Sequence, residues 1–372
     1  MIKVCHMTSA HGPEDERIFH KECVSLARAG YEVYQVSQGR SYEKNGVHII
    51  GVGELPAGRL KRMTSFAKKV YLAALALDAD LYHFHDPELL PYGLKLKKQG
   101  KKVIFDSHED VAGTIQQREW IPAFLRKFVT WGYIQFESRV CRQLDAVISA
   151  TPHVTTHFSS VNSHSILVTN YPILTLNTQM PDFQRKTLIF AGGISPQWNH
   201  HVIIKALELL PDCEYLLYGW GEDSYLHELQ SLPGWKQVRY LGHVSHEQVL
   251  NLLAEGYAGL TLLSYIPNSD GKNGTMSNTK IFEEMMTGLP VICTDFTLWR
   301  EFVDRWHCGI CVSPDDPEAL ASAVRYLLDH PEEARKMGEN GRKAVEKEFN
   351  WRSEEKKLLQ LYGELTETAE KS

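Results

Sequence analysis

Four short stretches of the 372-residue chain gather residue types that do chemistry. In Ser277-Asn-Thr-Lys-Ile-Phe-Glu-Glu, a polar loop runs into an amphipathic helix that closes at Gly288, ahead of an apolar strand. Asn278 is a strong N-cap residue, so Thr279 and Lys280 fall in the first turn, where free backbone N–H groups bind anions. Lys280 adds a mobile cation, and Glu283 follows on the same broad face, where a carboxylate can hold the two hydroxyls of a ribose. A surface charge pair on an ordinary amphipathic helix is the alternative. The other three clusters sit at the ends of predicted strands: His11-Gly12, His85-Asp86-Pro-Glu88, and Asp106-Ser-His108-Glu109. Their alternative is structural, with Asp86 and Glu88 capping a helix and the histidines packed in a core.

Such clusters need strands to carry them, and the chain alternates strand and helix throughout, which predicts parallel sheets covered on both faces. Strands are predicted at Ile2–Met7, Tyr31–Ser37, Leu81–His85, Lys102–Asp106, Ala146–Ala150 and Ile166–Thr169. Helices are predicted at Asp15–Ala29, Arg59–Leu77, Leu89–Lys98 and Trp120–Gln143. After a polar stretch from Asn170-Tyr-Pro to Arg185, a second series begins. Its strands are Thr187–Ala191, Glu214–Tyr218, Val238–Leu241, Gly259–Leu263, Pro290–Thr294 and Gly309–Val312. Its helices are Val202–Leu210, His246–Ala254, Asn278–Thr287 and Pro317–Leu328, followed by two more around Glu332–Glu348 and Arg352–Glu367. The fold class is therefore α/β, with Rossmann-like doubly wound domains at 1–170 and 186–350, a linker at 171–185, and a C-terminal helix at 351–372 packing back on the first domain. Ligands of such sheets sit beyond the carboxyl ends of the strands, so a central cleft is the expected site.

Hydrophobic residues at 43% suffice for a core in each half, and a net charge of −6 gives no reason to expect nucleic acid. Residues 1–170 hold 21 Lys and Arg against 17 Asp and Glu, and the remainder 19 against 29. The basic half suits an anionic partner, although solvated surfaces also produce such differences. Seven cysteines do not suggest a disulfide framework, and Cys308-Gly-Ile-Cys311 reads as two packed cysteines. Met1-Ile-Lys-Val-Cys-His reads as a strand entering the fold, so a cytoplasmic location is expected.

The segment Lys280-Ile-Phe-Glu-x-Met-x-x-Gly-x-Pro-Val-Ile292 resembles the donor-site helix of the family 4 glycosyltransferases, retaining enzymes of GT-B fold. The resemblance continues through Asp15-Glu-Arg-Ile-Phe19 with Lys21-Glu22, Gly30-Tyr-Glu-Val33, His85-Asp-Pro-Glu88, Asp106-Ser-His-Glu109 and Asn170-Tyr-Pro172. It extends to Tyr218-Gly-Trp-Gly221, Leu241-Gly-His-Val244, Gly338, Gly341 and Arg342, and Phe349-Asn-Trp351. It implies transfer of a sugar from a nucleotide-diphosphate donor to a glycan or lipid-linked acceptor, with retention, no metal and no cofactor.

By the same resemblance, His108, Lys280 and Thr275 are the catalytic positions. Glu283, Asn278, Thr279, Gly192, Gly193, Gly219, Gly221, His11 and Gly12 are donor-binding, and Arg17, His85, Asp86, Glu88 and Glu109 lie on the acceptor side. Two positions depart from the family. Thr275 stands where the first glutamate of Glu-x7-Glu belongs, and Ser195-Pro-Gln-Trp-Asn-His-His201 lacks the Arg and Lys that neutralise the pyrophosphate. The alternative function is a catalytically silent, nucleotide-binding or scaffolding relative, and an epimerase of the same fold is a further one. A nicotinamide dehydrogenase is disfavoured, since Thr8-Ser-Ala-His-Gly-Pro lacks the dinucleotide-binding glycine turn. Basic and aromatic helices in the first half, among them Arg59–Lys69, Lys95–Lys102 and Trp120–Trp131, suggest contact with the anionic inner face of the plasma membrane.

Overall fold

The computed structural model describes residues 1–108, 110–118, 121–175 and 181–367. The chain divides into two compact units, one of Met1–Asn170 with the C-terminal segment from Trp351, the other of Tyr171–Asn350. Trp120 and residues 176–180 of the expected linker lie outside the described residues.

The first unit carries an eight-stranded sheet of β1 (Lys3–Met7), β2 (Glu32–Ser37), β3 (Tyr42–Lys44), β4 (Val47–Gly51), β5 (Leu81–Phe84), β6 (Lys102–Ser107), β7 (Ala146–Ser149) and β8 (Ser165–Leu167). Its order is β3-β4-β2-β1-β5-β6-β7-β8, parallel except for the edge strand β3. Strand order reverses between β1 and β5, the switch point at which doubly wound sheets bind ligands. Alternation along β1 sends Cys5 and Met7 to one core, and Val4 to another that holds Leu81, Ile104, Trp351, Leu358 and Tyr362. The helix Trp351–Glu367 thus completes this unit. Trp351 Nε1 donates to Ser25 Oγ at 2.9 Å, and Glu354 accepts from the Thr169 N–H at 2.8 Å. The long helix predicted from Trp120 is observed as Ala123–Cys141, after Pro122.

The second unit has six parallel strands: β9 (Thr187–Ala191), β10 (Glu214–Tyr218), β11 (Val238–Gly242), β12 (Ala258–Thr261), β13 (Val291–Thr294) and β14 (Gly309–Val312). They run in the order β11-β10-β9-β12-β13-β14, with the switch between β9 and β12. The helix Thr279–Thr287 buries Ile281, Phe282, Met285 and Met286 and ends at Gly288, whose φ of 85° is readily available to glycine. Tyr171 packs edge-on against Phe282 and Phe349 in this unit. All seven cysteines are free thiols; Cys293 and Cys311 face each other across β13 and β14 with sulfurs 3.8 Å apart.

Candidate functional site

In the first unit, polar side chains meet at the carboxyl ends of β1, β5 and β6. Asp86, just past β5, accepts from Thr8 Oγ1 at 2.8 Å, the Ser9 N–H at 2.6 Å and the Ala10 N–H at 3.2 Å. It therefore shapes the loop after β1 and does not cap the turn that follows it. His11 lies on that loop, its Nδ1 3.2 Å from Asp15 Oδ2 and its Nε2 3.5 Å from Asp86 Oδ1. Gly12 is next in the chain, and a Cβ there would meet open space. Glu88 lies apart from this group, buried and 3.1 Å from Arg62 Nε.

His108 stands at the end of β6 with its side chain 14% exposed. Its Nε2 is 3.1 Å from Asp106 Oδ2 and 3.0 Å from His85 Nδ1, and its ring lies 5.3 Å from that of His11. Beneath it, Arg17 Nε and Nη2 donate to the two oxygens of Asp106 at 2.9 and 3.0 Å, while Nη1 donates to the Val168 carbonyl at 2.8 Å. Arg17, expected on the acceptor side, thus lies buried beneath His108. Its guanidinium is buried and committed to Asp106, and losing it would leave an unpaired interior charge, at a cost of about 3–5 kcal/mol. Burial works against the Asp106 charge, but Arg17 and then His108, which also hydrogen-bonds to it, hold its carboxyl well below the usual range. Burial and the neighbouring Asp106 push Glu22 well up, so it is the protonated partner. Glu109, the remaining acceptor-side position, lies outside the described residues.

Among the described residues, two groups have metal-ligand composition: His6, Glu22, His83 and His85, and His85, Asp106 and His108. A four-coordinate zinc at 2.0–2.2 Å would draw its ligand atoms to roughly 3.3–3.5 Å of one another. Here His6 Nδ1 and His85 Nε2 are 2.9 Å apart, while Glu22 Oε2 is 3.9–4.0 Å from the nitrogens of His6, His83 and His85. These spacings suit hydrogen bonds better than a ligand set. His6, His83 and Tyr362 were not foreseen from the sequence. The clue was His83-Phe-His85, which as a strand puts both imidazoles on one face.

Beside Ser107 opens a cavity of about 200 Å³, lined in part by Asp110, Ile134, Glu137, His153 and His157. His153 Nε2 is 3.7 Å from Asp110 Oδ2, and His157 Nε2 is 3.7 Å from Glu137 Oε2. Each pair is too far apart for a hydrogen bond and close enough for one hydroxyl to bridge it.

In the second unit, the donor positions form two groups. Gly192-Gly193 and Gly219-Trp-Gly221 follow adjacent strands and pack together, the Gly192 N–H donating to the Tyr218 carbonyl at 3.0 Å and the Ile194 N–H to that of Trp220 at 2.8 Å. A Cβ on Gly219 would overlap the Gly192 carbonyl, and one on Gly221 would overlap that of Ile194, so the approach needs glycine at both. The other group is the helix start, where Asn278 Oδ1 accepts from the Lys280 N–H at 3.1 Å. The Lys280 side chain joins the two: its Cε occupies the place a Cβ on Gly192 would take, and its Nζ lies 4.7 Å from the centre of the Trp198 ring. Burial lowers the Lys280 amine, with Glu283 and then Glu284 acting to raise it.

Glu283 is buried one turn along this helix. Glu284 points into the core, where Thr261 Oγ1 donates to it at 2.8 Å and burial pushes its carboxyl up to about 8. Thr275 is buried, its Oγ1 2.9 Å from Ser277 Oγ and its carbonyl accepting from Trp299 Nε1 at 2.7 Å. Thr279 opens the helix and is half-buried. His200, in the segment that lacks Arg and Lys, supplies no cation either: it is buried against Tyr215 Oη at 3.0 Å, and burial pushes it down to about 3, so it is neutral.

Known proteins match both units. Residues 16–166 match the model described as Glycosyltransferase Family 4, and residues 179–344 that of Glycosyl transferases group 1. The chain is 31% identical over 304 residues to the MMP alpha-(1->4)-mannosyltransferase of Mycolicibacterium hassiacum, covering 75% of this chain and 69% of the relative. It is 24% identical over 302 residues to the D-rhamnosyltransferase WbpZ of Pseudomonas aeruginosa, covering 74% and 72%. Among solved structures, the sucrose-phosphate synthase of Thermosynechococcus elongatus superposes with a TM-score of 0.79 at 18% identity, over 99% of this chain and 100% of that one. HepE of Anabaena, solved with UDP and glucose, gives 0.74 at 14% identity over 98% and 100%. With two switch-point sheets and matches to both units, the chain belongs to family 4 and is a glycosyltransferase of GT-B fold.

Proposed function

We propose that the protein transfers a hexosyl group from a nucleotide-diphosphate sugar to a glycan or lipid-linked acceptor, with retention and without a metal ion. The observation that carries this reading is Lys280, laid against the Gly192 turn at a helix start, with Glu283 one turn on. The helix N–H groups and the Lys280 ammonium receive the diphosphate, and Glu283 receives the ribose hydroxyls. In the reaction the C1–O bond to phosphate breaks and a C1–O bond to the acceptor oxygen forms on the same face. The acceptor proton passes to the departing phosphate oxygen. No covalent intermediate is formed. His108 meets the reacting sugar.

The relatives lend support: one transfers rhamnose, another mannose, and HepE has been solved with UDP-glucose. The paired imidazoles and carboxylates of the cavity beside Ser107 suit acceptor hydroxyls. No described helix is long and apolar enough to cross a membrane. The helix Ala123–Cys141, however, exposes Phe124, Phe128 and Trp131 along one face, with Arg126 and Lys127 beside them, as a helix resting on an anionic bilayer to reach a lipid-linked acceptor would.

The silent, nucleotide-binding alternative draws on Thr275 and on the lack of Arg or Lys between Ser195 and His201. Assaying transfer and donor hydrolysis over a panel of nucleotide sugars separates the two. Glu283→Ala is expected to weaken nucleotide binding by calorimetry about tenfold while the protein stays folded, a loss of the order of one charge-assisted hydrogen bond. Unchanged affinity would return Glu283 to a structural role.

A further inference from the structure

A row of hydrogen bonds runs from the C-terminal helix to the rim of the first sheet. Tyr362 Oη lies 2.8 Å from His83 Nδ1 and 3.1 Å from His6 Nε2. His6 Nδ1 lies 2.9 Å from His85 Nε2, and His85 Nδ1 lies 3.0 Å from His108 Nε2. The row ends at Asp106, whose Oδ2 is 3.1 Å from His108 Nε2. Each neutral imidazole owns one N–H and one bare nitrogen, so these protons are not independent. Placing one places them all.

Asp106 places the first. Its carboxylate, paired with Arg17, can only accept, so His108 Nε2 must carry a proton. That N–H is shared with His85 Nδ1, which must then be bare. His85 therefore donates from Nε2 to His6 Nδ1, and His6 donates from Nε2 to Tyr362 Oη. The Tyr362 hydroxyl donates to His83 Nδ1, leaving the His83 proton on Nε2, an atom with no hydrogen-bond partner among the described residues. The reverse order would turn a lone pair of His108 onto an ionised carboxylate. Burial keeps His6, His83 and His85 neutral: it pushes His85 down to about 4, and His6 and His83 well below the usual imidazole range.

We propose that Tyr362, His6 and His85 are positioning residues that lock His108 in its Nε2–H tautomer, so that Nδ1 meets the substrate as a hydrogen-bond acceptor. The catalytic part of this rests on the reading that His108 meets the reacting sugar. The partner group is then a hydroxyl that donates, and a deoxy sugar lacking it is a poorer substrate. Tyr362 reaches this site from a helix that begins some 240 residues after His108 in the chain.

Histidine tautomers can be read directly from long-range proton–nitrogen correlation spectra of the histidine-labelled protein, without substrate. The expected result is the Nε2–H form at His6, His83, His85 and His108. A proton on Nδ1 of His108 overturns the proposal, and so does a stoichiometric metal ion that is lost in His6→Ala or His85→Ala. Tyr362→Phe keeps the ring and removes the hydroxyl. In the folded variant both His108 tautomers should appear, and kcat should fall at least about tenfold with donor KM within about twofold, since a mis-set catalytic tautomer acts on the reacting step. Unchanged tautomers in folded Tyr362→Phe overturn the relay. If His108→Ala leaves the rate unchanged while the wild-type spectrum shows the expected forms, the catalytic reading of His108 fails and the proton order stands.

Discussion

The two sheets prepare their switch points by different means. In the first unit the carboxyl ends of β1, β5 and β6 are crowded with largely buried side chains: His85, Asp106, Arg17 and His108 bond to one another, and Asp86 holds the loop after β1. In the second unit the matching place is mostly backbone, with two glycine turns, a helix start and one lysine beside Trp198. A buried network of imidazoles and carboxylates fixes orientation, because each group has few ways to satisfy its hydrogen bonds. Free N–H groups and an ammonium receive a flexible, highly charged diphosphate without dictating one geometry. The first suits a reacting centre, the second a leaving group.

If the comparison is right, acid should damage the first unit before the second. His6, His83 and His85 are buried and neutral there, whereas His200 is the only fully buried histidine among the described residues of the second. An unfolded histidine binds a proton below about 6.5, while native His85 does so only below about 4. Between those values the unfolded state holds more protons, so stability falls as pH falls. His85 alone accounts for about 3 kcal/mol over this window. Glu22, protonated in the native state, acts in the opposite direction above its unfolded value, but it is one group against three. Hydrogen exchange at pH 7 and pH 4.5 should show protection lost first in β1, β5 and β6. Equal loss in both sheets would break the contrast.

The second unit is tested through Lys280. With no Arg or Lys between Ser195 and His201, and with His200 neutral, the proposed function assigns this ammonium much of the charge needed as a diphosphate departs. An interaction that strengthens as charge develops lowers the barrier more than it tightens ground-state binding. Lys280→Met should therefore lower kcat about a hundredfold, with a smaller loss of donor affinity. Steady-state kinetics with kcat within a few-fold of wild type would remove Lys280 from the role.

The same contrast explains what could be read from the sequence. Strand–helix alternation revealed most of the parallel strands in both sheets, because a buried strand is a short apolar run between glycines and polar turns. It did not reveal the edge pair Tyr42–Lys44 and Val47–Gly51, whose first strand is wholly exposed, or the helix Thr297–Trp306, whose polar residues outnumber its buried ones. In the site, His108 and Asp86 were legible as reactive letters next to strand ends. Tyr362 was not, because nothing local marks a tyrosine in a distant amphipathic helix as a partner for His6. Nor was Trp198, which reads as a lone aromatic in a loop until the Lys280 side chain is placed over it. Arg17 was legible as a charged group but not as a buried one, since only the fold brings it to Asp106.

The smallest expected effect is that of a chelator. In a site where the leaving charge is met by Lys280 and a helix start, a divalent ion has no required part, and EDTA should leave the transfer rate unchanged. The motif that argues otherwise is Asp78-Ala-Asp80, which has the spelling of a metal site. Its position decides against it. Asp80 Oδ2 accepts from the Lys3 N–H at 2.8 Å, and Asp78 pairs with Lys101 at 2.6 Å. Both lie where β1 and β5 begin, the opposite end of the sheet from His85 and His108. An ion bound there would be a strand's length from the polar groups at the switch point, about 13 Å for four residues. Rate measurements in EDTA, with and without added Mg²⁺ or Mn²⁺, test this. A loss that either ion restores would mean that Lys280 and the helix start do not bear the leaving charge alone, and that the two sheets share the work differently.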